Sequence, residues 1–541
     1  MSERILKADI AVIGGGLGGV AAALAVLKSG KSVILTEETH WLGGQLTSQA
    51  TPPDEHDWIE LHGATASYRQ LRDTIRDLYL GRYPVSDRAR SAEYLNPGMG
   101  SVSPICCEPR TAVAAIDAML LQWFGTGRLT LLKNTRPTAV SCVGDRIESV
   151  NVHSADNGLL RIEAQHFIDA TELGDLLELG DIEHVVGAES RDETGEPSAL
   201  DGPANPMDQQ SITWCFGISF HEGEDHTIMR PDAYDYWKDY RLPFWPDKQL
   251  SFTGPHPVTC EADYRPLFAG ERTARLAPDR WHYRRLIWTE HFEPGHYLSD
   301  ICLVNWPQID YCDGPLVGVT KAEAARHREG ARQMSLSYLY WLQTAAPRHD
   351  GGIGYPELRP AAEVMGTLDG LAVAPYIRES RRIKAKFTVT ECHVGYDARK
   401  GEIGAEVFDD SVGIGSYRID LHPSTAPRNY VDVPNWPFQI PLGALIPVRI
   451  RNLLPGAKNI GSTHITNGCY RLHPVEWNIG EVAGALAARA LDLDCDPADI
   501  HANRDRLKAF QTHLTETFGI ELSWPEDIRT TPRLTLFGDT Q

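Results

Sequence analysis

The sequence of 541 residues has ten cysteines, but no two of them have C-x-x-C spacing. Structural zinc sites and iron–sulfur clusters usually take ligands from such pairs, so the sequence indicates neither kind of centre. Cys106 and Cys107 are adjacent, and a disulfide between neighbours is strained, so we predict structural thiols. Four other side chains are spaced loosely enough to suggest a metal site: Asp54, His56, Asp57 and His62. Without a further ligand pattern we interpret them as loop residues and predict no metal site.

The sequence also has little positive charge and no long apolar run. Its 52 Lys and Arg residues stand against 73 Asp and Glu residues, which gives a formal charge of −21. This balance argues against nucleic acid or an anionic membrane surface as a partner. Because a membrane-spanning helix needs roughly 18 or more apolar residues in succession, we predict no membrane span and expect a cytoplasmic protein.

A strand, a glycine-rich turn and a helix follow one another near the start of the chain. Residues 10–13 form a short apolar run typical of a buried strand, and Gly14, Gly16 and Gly19 have the G-x-G-x-x-G spacing. Such glycines permit a tight turn, the approach of backbone N–H groups to a pyrophosphate, and close packing of the helix. An Ala-rich helix is predicted over residues 20–28, and its electropositive N-terminus favours phosphate binding.

A second apolar run at residues 32–35 leads to Glu37, at the end of the second predicted strand. A carboxylate there accepts two hydrogen bonds from a ribose diol. The sequence therefore predicts a dinucleotide site, and the alternative is a glycine-rich turn in an ordinary α/β domain. Because only one complete glycine fingerprint is present, a nicotinamide nucleotide is not expected as a stoichiometric partner.

Three further segments resemble FAD proteins of the glutathione reductase structural type. The segment HWLGGQLTS at 40–48 is similar to their E-x(n)-L-G-G motif, in which paired glycines let the chain pass beside the ribitol. The segment IDATELGD at 168–175 resembles I-D-A-T-G-D-G-D, with Glu172 where that pattern usually has glycine. Residues 462–488 resemble a C-terminal flavin clamp, whose helix N-terminus would stabilise negative charge on a reduced flavin. The resemblance implies FAD as the cofactor.

The predicted cofactor contacts lie in several parts of the chain, and the last three are expected at the pyrimidine edge of the flavin. The candidate cofactor-binding residues are Gly14, Gly16, Leu17, Gly19, Glu37, Glu38, Gly43, Gly44, Gln45, Leu46, Thr47, Pro137, Ala170, Thr171, Glu172, Asn478, Ile479 and Gly480.

The predicted fold class is α/β. A Rossmann-like FAD-binding domain, with a parallel sheet, helices and a β-meander, carries an inserted mixed α+β substrate domain rich in Trp, Tyr, His and Pro. Strand-like pieces in the insertion include KFTVTECHVG, and a helix is predicted over residues 321–345. The predicted parts are 1–190 for the first part of the FAD-binding domain, with 51–104 covering the flavin, 191–434 for the substrate domain, 435–495 for the return of the FAD-binding domain, and 496–541 for a C-terminal helix and tail.

The segments YIRESRRI at 376–383 and GIGSYRIDLH at 413–422 are similar to the FAD-dependent oxidoreductase family, relatives of the flavin subunit of heterodisulfide reductase and of fumarate-reductase-like flavoproteins. The resemblance implies removal of a hydride from a CH–OH, CH–NH or CH–CH unit of a polar small molecule, with O₂ or a carrier as electron acceptor. The alternatives are reduction of an activated double bond and a flavoprotein subunit of an electron-transfer assembly. The oligomeric state is left open.

The implied reaction needs a base near the substrate and a cation to anchor charge. Histidines are candidate bases because imidazole titrates near working pH, and Arg471 resembles the arginine after the glycine loop in fumarate-reductase-like relatives. The arginines at 378, 381 and 382 could bind a carboxylate bidentately or form an interdomain ion-pair cluster with Glu379. The candidate catalytic residues are His464, Arg471, His473, His422, Tyr376 and Arg378.

Overall fold

A computed structural model describes residues 4–269 and 279–534 of the chain. Within these ranges the main sheet has seven strands, of which the first six are β1 (Arg4–Ile13), β2 (Val33–Thr36), β3 (Leu129–Leu132), β4 (Thr135–Val143), β5 (Arg146–Ser154) and β6 (Gly158–Asp169). Their order is β3-β2-β1-β6-β5-β4, and the seventh strand, Leu453–Pro455, runs parallel to the end of β6. This topology confirms the predicted parallel sheet with an antiparallel meander.

The strand β6 is 12 residues long and belongs to both parts of the sheet. It pairs in parallel with β1 along its length, antiparallel with β5 through its first half, and in parallel with Leu453–Pro455 through its end. The predicted return strand at residues 166–170 is therefore the last third of a longer strand. The carboxyl ends of β1, β2 and β6 meet at one edge of the sheet, which is where open α/β sheets bind ligands.

Seven helices of seven or more residues occur in the described ranges: α1 (Leu17–Lys28), α2 (Ala66–Arg82), α3 (Pro109–Leu121), α4 (Lys321–Thr344), α5 (His464–Tyr470), α6 (His473–Asp492) and α7 (Arg504–Phe518). Shorter helices are Asp87–Arg90, Asp175–Leu179, Arg191–Thr194, Tyr234–Trp237, Arg280–Tyr283, Ala362–Met365, Glu391–Val394, Pro497–Ala502 and Glu526–Arg529. Side-chain caps explain where two helices begin: Thr65 caps α2, and Thr320 with Glu323 forms a capping box at α4. None of the described helices combines the length and apolar character needed to cross a bilayer.

Glycines let α1 and α6 pack at very short range. A Cβ added to Gly480 would lie 2.0 Å from the carbonyl oxygen of Gly18, and one added to Gly484 would lie 2.3 Å from that of Ala22. Because any larger side chain would separate the backbones, these small residues fix the contact between the two helices. The contact places the start of α6 beside the start of α1, at the carboxyl edge of the sheet.

The inserted region has its own apolar core, which extends from Ile212 to Ile377 and includes one face of α4. Its sheet has the strand order Arg285–Ile287, Ile301–Val304, Phe216–Phe220, Leu358–Pro360. Apolar residues between 389 and 433 pack instead into the core that contains α1 and α6. The remaining strands pair as Ile212–Thr213 with Asp310–Tyr311, His184–Val185 with Arg382–Ile383, Thr253–Pro255 with Ala262–Tyr264, Ser411–Gly415 with Phe438–Pro441, and Ile419–Leu421 with Val431–Val433.

The structure differs from the strand-like interpretation of residues 386–395. A helical turn, Glu391–Val394, forms there because the backbone N–H of Thr390 donates to Nδ1 of His393 at 2.9 Å and caps the turn. The Thr and Val residues that suggested a strand are thus overridden by a local side-chain hydrogen bond.

Candidate functional site

The glycine loop lies where β1 and β6 end side by side. Gly14 has a φ of 103°, and a Cβ added there would lie 2.1 Å from the carbonyl oxygen of Ala170. Both the backbone angle and the close approach require glycine. The N–H of Gly14 donates to the hydroxyl of Thr36 at 3.1 Å, which ties the loop to the end of β2. Because α1 begins at Leu17, its N-terminal N–H groups lie beside the carboxyl edge of the sheet.

A cavity of about 290 Å³ opens at this edge, and we call it the dinucleotide cavity. It lies among the glycine loop, the ends of β2 and β6, the start of β4 and residues 373–377. Eight of the predicted cofactor residues line it: Gly14, Gly16, Glu37, Glu38, Pro137, Ala170, Thr171 and Glu172. Sequence analysis missed Arg136, Trp214 and Arg328 on its wall, since none of them belongs to a local motif.

Glu37 is buried at the end of β2 and joins the glycine loop to the following turn. Its Oε2 accepts from the N–H of Gly15 at 3.0 Å, and its Oε1 accepts from the N–H and hydroxyl of Thr39 at 2.8 and 2.7 Å. Burial raises the pKa of Glu37 to about 7, although the two hydrogen bonds from Thr39 lower it. The carboxylate lines the cavity where a ribose would need an acceptor.

The turn at residues 43–47 packs directly on the glycine loop. The N–H of Gly43 donates to the carbonyl of Gly15 at 2.8 Å, and a Cβ on Gly44 would lie 2.9 Å from Cα of Gly16. The approach to Gly16 explains the glycine at 44, whereas Gly43 has a φ of 106° and a Cβ there would meet Ile116 at 2.6 Å and Thr47 at 2.7 Å. The predicted cofactor residues that do not line the dinucleotide cavity are Leu17, Gly19, Gly43, Gly44, Gln45, Leu46, Thr47, Asn478, Ile479 and Gly480.

The three residues predicted at the pyrimidine edge lie inside α6 rather than at its N-terminus. The helix begins at His473, with Pro474 in its first turn, so residues 478–480 have their N–H groups in the helix interior. Asn478 donates to the carbonyl of Val412 at 3.1 Å, and Gly480 contacts Gly18. The first turn, with Glu476, is the part of α6 that reaches the glycine loop.

Two acidic side chains, Glu172 and Glu476, lie at the N-terminus of α1. An Oε1 of Glu476 accepts from the N–H of Gly18 at 3.3 Å, and Glu172 accepts from Lys458 at 2.6 Å. Gln45 donates to the second oxygen of Glu476. Burial and the neighbouring Glu172 raise the pKa of Glu476 to about 7, while Lys458 opposes the shift. A helix N-terminus favours anions, so these carboxylates occupy a position suited to a pyrophosphate.

The glutamate at position 172 is accommodated although the related motif has glycine there. Glu172 is not among the residues with a left-handed backbone, whereas Gly174, two residues later, has a φ of 66°. Asp169 anchors the segment, because its carboxylate accepts from the N–H and hydroxyl of Thr171 and from the N–H of Leu176.

A second cavity of about 160 Å³ lies between the inserted region and the segments around Tyr376 and Asp420; we call it the arginine cavity. Seven arginines, five aspartates and four tyrosines line it. Of the predicted catalytic residues, Tyr376, Arg378, His422 and Arg471 lie on its wall. The structure thus brings four of the six candidates into one space.

His422 is held by a buried aspartate. Its Nδ1 lies 2.6 Å from Oδ2 of Asp310, and its Nε2 lies 3.8 Å from Oδ2 of Asp420. Burial of Asp310 is outweighed by Arg378 and His422, so the pKa of this carboxyl lies below its usual value. An ionised Asp310 accepts a hydrogen bond from the N–H at Nδ1, which leaves Nε2 as the ring nitrogen available to a ligand. Asp310 was missed by sequence analysis.

Arg471 and Tyr376 form a hydrogen-bonded pair on the same wall. Nη1 of Arg471 donates to the hydroxyl of Tyr376 at 2.6 Å, and Nη2 donates to the carbonyl of Asp420 at 3.2 Å. The carbonyl of Arg471 accepts from Gln45 at 3.1 Å. Since Gln45 also binds Glu476, this chain of contacts connects the arginine cavity to the glycine loop.

The other two predicted catalytic histidines do not line either described cavity. His464 is buried with Nδ1 at 2.9 Å from Glu379. His473 accepts from the N–H of Asp54 through Nδ1 and donates to the carbonyl of Thr51 through Nε2, both at 3.1 Å. Burial lowers the pKa of His473 to about 3. In the structure His464 pairs with Glu379, and His473 bonds to the backbone of Thr51 and Asp54.

The arginines near residue 380 are engaged in buried ion pairs. Arg382 contacts Glu379 and Glu189, and Arg381 lies 3.5 Å from Asp175. Arg381 and Arg382 therefore form ion pairs within the protein, as the second of the two interpretations predicted. Arg378 does reach the arginine cavity, but it donates to Asp310 at 3.2 Å and to the hydroxyl of Thr213 at 2.8 Å.

One group of metal-type ligands is present among the described residues, and it lies outside both cavities. His221, Glu224 and His226 have ligand atoms within 4.8 Å of one another. Asp54 and His56, considered as metal ligands from the sequence, are buried and do not form such a group.

The family model described as FAD dependent oxidoreductase matches residues 9–514. The chain belongs to this family. The glycine cradle, the carboxylate at the end of β2 and the two helix N-termini at the carboxyl edge fit FAD, the cofactor of the family. Gly14, Gly16 and Glu37 are the residues that would hold its dinucleotide part.

This FAD-dependent oxidoreductase is similar to the following proteins at low identity or over a short stretch. An NADH oxidase of Thermoanaerobacter brockii is 32% identical over 115 residues, which span 18% of each chain. A geranylgeranyl bacteriochlorophyll reductase-like protein from Thermoplasma acidophilum is 9% identical with a TM-score of 0.31, and the match covers 95% of this chain and 84% of that one. L-Proline dehydrogenase from P. horikoshii is 17% identical with a TM-score of 0.18, covering 36% of this chain and 26% of that one.

Replacing Glu37 with alanine should weaken FAD retention by this oxidoreductase by about 1–3 kcal/mol, because polar groups lose a buried acceptor. The N–H of Gly15 loses its partner in the same variant. FAD dissociation constants from fluorescence titration provide the measurement. Glu148→Ala, an exposed carboxylate on β5, is the control and should leave the constant unchanged. Equal FAD affinity in both variants would show that Glu37 does not contribute to FAD binding.

The FAD affinity of the oxidoreductase should fall as pH rises above 7. A diphosphate beside Glu476 raises the pKa of this carboxyl beyond its value of about 7 in the free protein, so FAD binding takes up a proton between the two pKa values. The affinity is then highest below pH 7 and decreases by up to about tenfold per pH unit above it.

The Glu476→Gln variant tests this proton uptake, since it keeps an acceptor for Gly18 but cannot ionise. Its FAD dissociation constant should be nearly independent of pH from 6 to 9. Glu481 has a pKa raised to about 7 by burial but binds the hydroxyl of Ser67, so Glu481→Gln should retain the pH dependence. The same slope in all three proteins would exclude Glu476 as the titrating group.

Proposed function

We propose that this family member oxidises a polar small molecule by removing a hydride from a CH–OH, CH–NH or CH–CH unit. The observation that carries the proposal is His422, which is held by Asp310 through Nδ1 and lines the arginine cavity together with Arg471. An aspartate-held imidazole beside a cation is the equipment needed to remove a proton while charge develops on the substrate. When bound, FAD supplies the hydride acceptor.

Each residue has a defined task in this proposal. Nε2 of His422 accepts the proton of the substrate O–H or N–H group, while Asp310 holds Nδ1 and stabilises the imidazolium that results. Arg471 and Tyr376 orient the polar end of the substrate through their hydrogen-bonded pair. Arg471 and Tyr376 are each 3% exposed, and this burial strengthens their electrostatic contacts.

A second candidate function is reduction of an activated double bond. Nε of Arg471 is buried and has no hydrogen-bond partner among the described residues, so this guanidinium has a donor to spare for a carbonyl or carboxylate that activates the double bond. The same residues would then return a proton to the substrate instead of accepting one.

Anaerobic mixing of the FAD-loaded protein with alcohols, amines and saturated acids tests the proposal, with flavin absorbance followed at about 450 nm. A substrate that bleaches the flavin supports oxidation, and admission of air then shows whether O₂ or a carrier accepts the electrons. If no donor of this kind bleaches the flavin but enoates reoxidise chemically reduced protein, the second candidate replaces the first. NADH and NADPH should bleach it slowly, and fast bleaching by either would make the protein a nicotinamide-dependent enzyme.

A further inference from the structure

Arg284, on the wall of the arginine cavity, has no carboxylate at hydrogen-bond distance among the described residues. Arg284 is 9% exposed, and its Nε and Nη1 have no hydrogen-bond partner among the described residues. Asp54 approaches Nη1 with Oδ1 at 3.9 Å, beyond hydrogen-bond distance, and this Oδ1 is itself unpartnered in the described chain. A guanidinium stays charged at every physiological pH, so its burial without a hydrogen-bonded acid is costly.

Three neighbouring arginines differ from Arg284 because each has an aspartate at hydrogen-bond distance. Arg265 is paired with Asp263 at 2.7 Å, Arg378 with Asp310 at 3.2 Å, and Arg418 with Asp432. Those charges are neutralised locally and shape the wall. Arg280 and Arg471 also lack an acid at hydrogen-bond distance, but Arg280 donates to the carbonyls of Arg265 and Phe252. Arg284 is the arginine of this cavity with two buried nitrogen atoms that have no hydrogen-bond partner in the described ranges.

Arg284 and Arg471 converge on the same space. Tyr376, Asp54 and Tyr417 act electrostatically on both guanidinium groups, and all of these residues line the arginine cavity. Buried polar groups left unpaired in a native structure call for an explanation, and a ligand that restores the missing contacts is one. A group with two acceptor oxygens matches the fork of a guanidinium.

We propose that Arg284, together with Arg471, binds a carboxylate of the substrate, so that the molecule oxidised at His422 is an organic acid. This inference rests on the proposed function. A single negative charge suits the site, because Asp54 and Asp420 also face the cavity and would repel a dianion such as phosphate. Tyr283, Tyr417 and Tyr430 on the wall provide apolar area for the body of the acid.

Binding of simple acids to the FAD-loaded protein tests the inference without turnover. Calorimetric titration with benzoate, acetate and succinate is compared with benzamide and inorganic phosphate. We expect at least one monocarboxylate to bind, and benzamide to bind at least tenfold more weakly than benzoate. Equal affinity for benzoate and benzamide, tighter binding of phosphate than of every carboxylate, or no binding of any carboxylate would overturn the inference.

Two substitutions with opposite expected signs make the test specific. Arg284→Gln should raise the dissociation constant of the bound carboxylate at least tenfold, Arg284→Lys should raise it less, and Asp54→Asn should lower it at least threefold by removing a competing charge. Arg265→Gln, the arginine with its own aspartate, should change it less than threefold. FAD content and melting temperature verify folding, and Arg284→Lys serves if the glutamine variant does not fold. A dissociation constant within twofold of wild type in both Arg284 variants would overturn the inference.

The outcome is separable from that of the proposed function. If carboxylates bind through Arg284 but no compound of the panel reduces the flavin, the acid-binding site stands and the oxidation proposal fails. If a compound of the panel reduces the flavin but no carboxylate binds, or carboxylates bind equally well to Arg284→Gln and Arg284→Lys, the oxidation proposal stands and the acid-binding site fails.

Discussion

Gly14→Ala should yield a protein that retains less than about a tenth of the FAD bound by wild type. The new Cβ would lie 2.1 Å from the carbonyl oxygen of Ala170, at a φ of 103° that an alanine rarely adopts. Either β1 and β6 separate or the loop changes its conformation, and both displace the N–H groups that would face the pyrophosphate. Either rearrangement should lower the free energy of unfolding by more than about 2 kcal/mol. FAD per chain, from the ratio of visible to ultraviolet absorbance, and the melting temperature are the measurements.

Gly30→Ala is the matched control for this experiment. Gly30 also has a positive φ, 80°, but a Cβ there would meet nothing within 4 Å. The substitution should therefore cost only the backbone penalty of roughly 1–2 kcal/mol and leave FAD at one per chain. Full FAD content in Gly14→Ala, or equal loss in the two variants, would contradict the role assigned to the glycine loop.

His422→Gln should lower the rate of flavin reduction by the identified substrate by about 10²- to 10⁴-fold, the usual contribution of a general base. Glutamine preserves a polar group near Asp310 but cannot accept the proton. FAD content should remain at one per chain, because His422 does not line the dinucleotide cavity. Anaerobic single-turnover reduction in a stopped-flow instrument gives the rate.

A second histidine that is paired with an aspartate provides the control. His501 has Nε2 at 3.0 Å from Asp410 and lies outside the arginine cavity, so His501→Gln should reduce the flavin at the wild-type rate. If His422→Gln also reacts at the wild-type rate, the base is another group, and Asp54 and Tyr376 are the next to be replaced.

The cofactor half of the site is predictable from sequence because its determinants are local. The glycine spacing, the apolar strands on both sides of α1 and the carboxylate of Glu37 lie within one short stretch. A physical requirement explains each of these residue types, either the close approach of two backbones or a hydrogen-bond acceptor at the end of a strand. The start of α6 is also a local feature, since Pro474 marks the first turn and places residues 478–480 further along the helix.

The substrate half could not be derived in the same way. His422 and Asp310 are 112 positions apart, and Asp310 belongs to the insertion, so their contact depends on how the inserted core packs against the rest. The sequence offers no reason to prefer His422 over His464, because each lies near glycines and polar residues. Burial beside Glu379 decides against His464 as a group that reaches the cavity. Arg284 likewise becomes notable only when its neighbours are known to lack a pairing acid.

The pairing of β6 with Leu453–Pro455 determines when the main sheet and the FAD site can be completed during translation. The partner of Phe167 in that register is Leu453, which leaves the ribosome roughly 15–60 s later at 5–20 residues per second. Gly18 waits even longer for its contact with Gly480 in α6. Throughout this interval the nascent chain presents an unpaired strand edge and an unsupported α1. Cofactor capture is therefore a late event, and the exposed edge of β6 is the point at which aggregation competes with maturation.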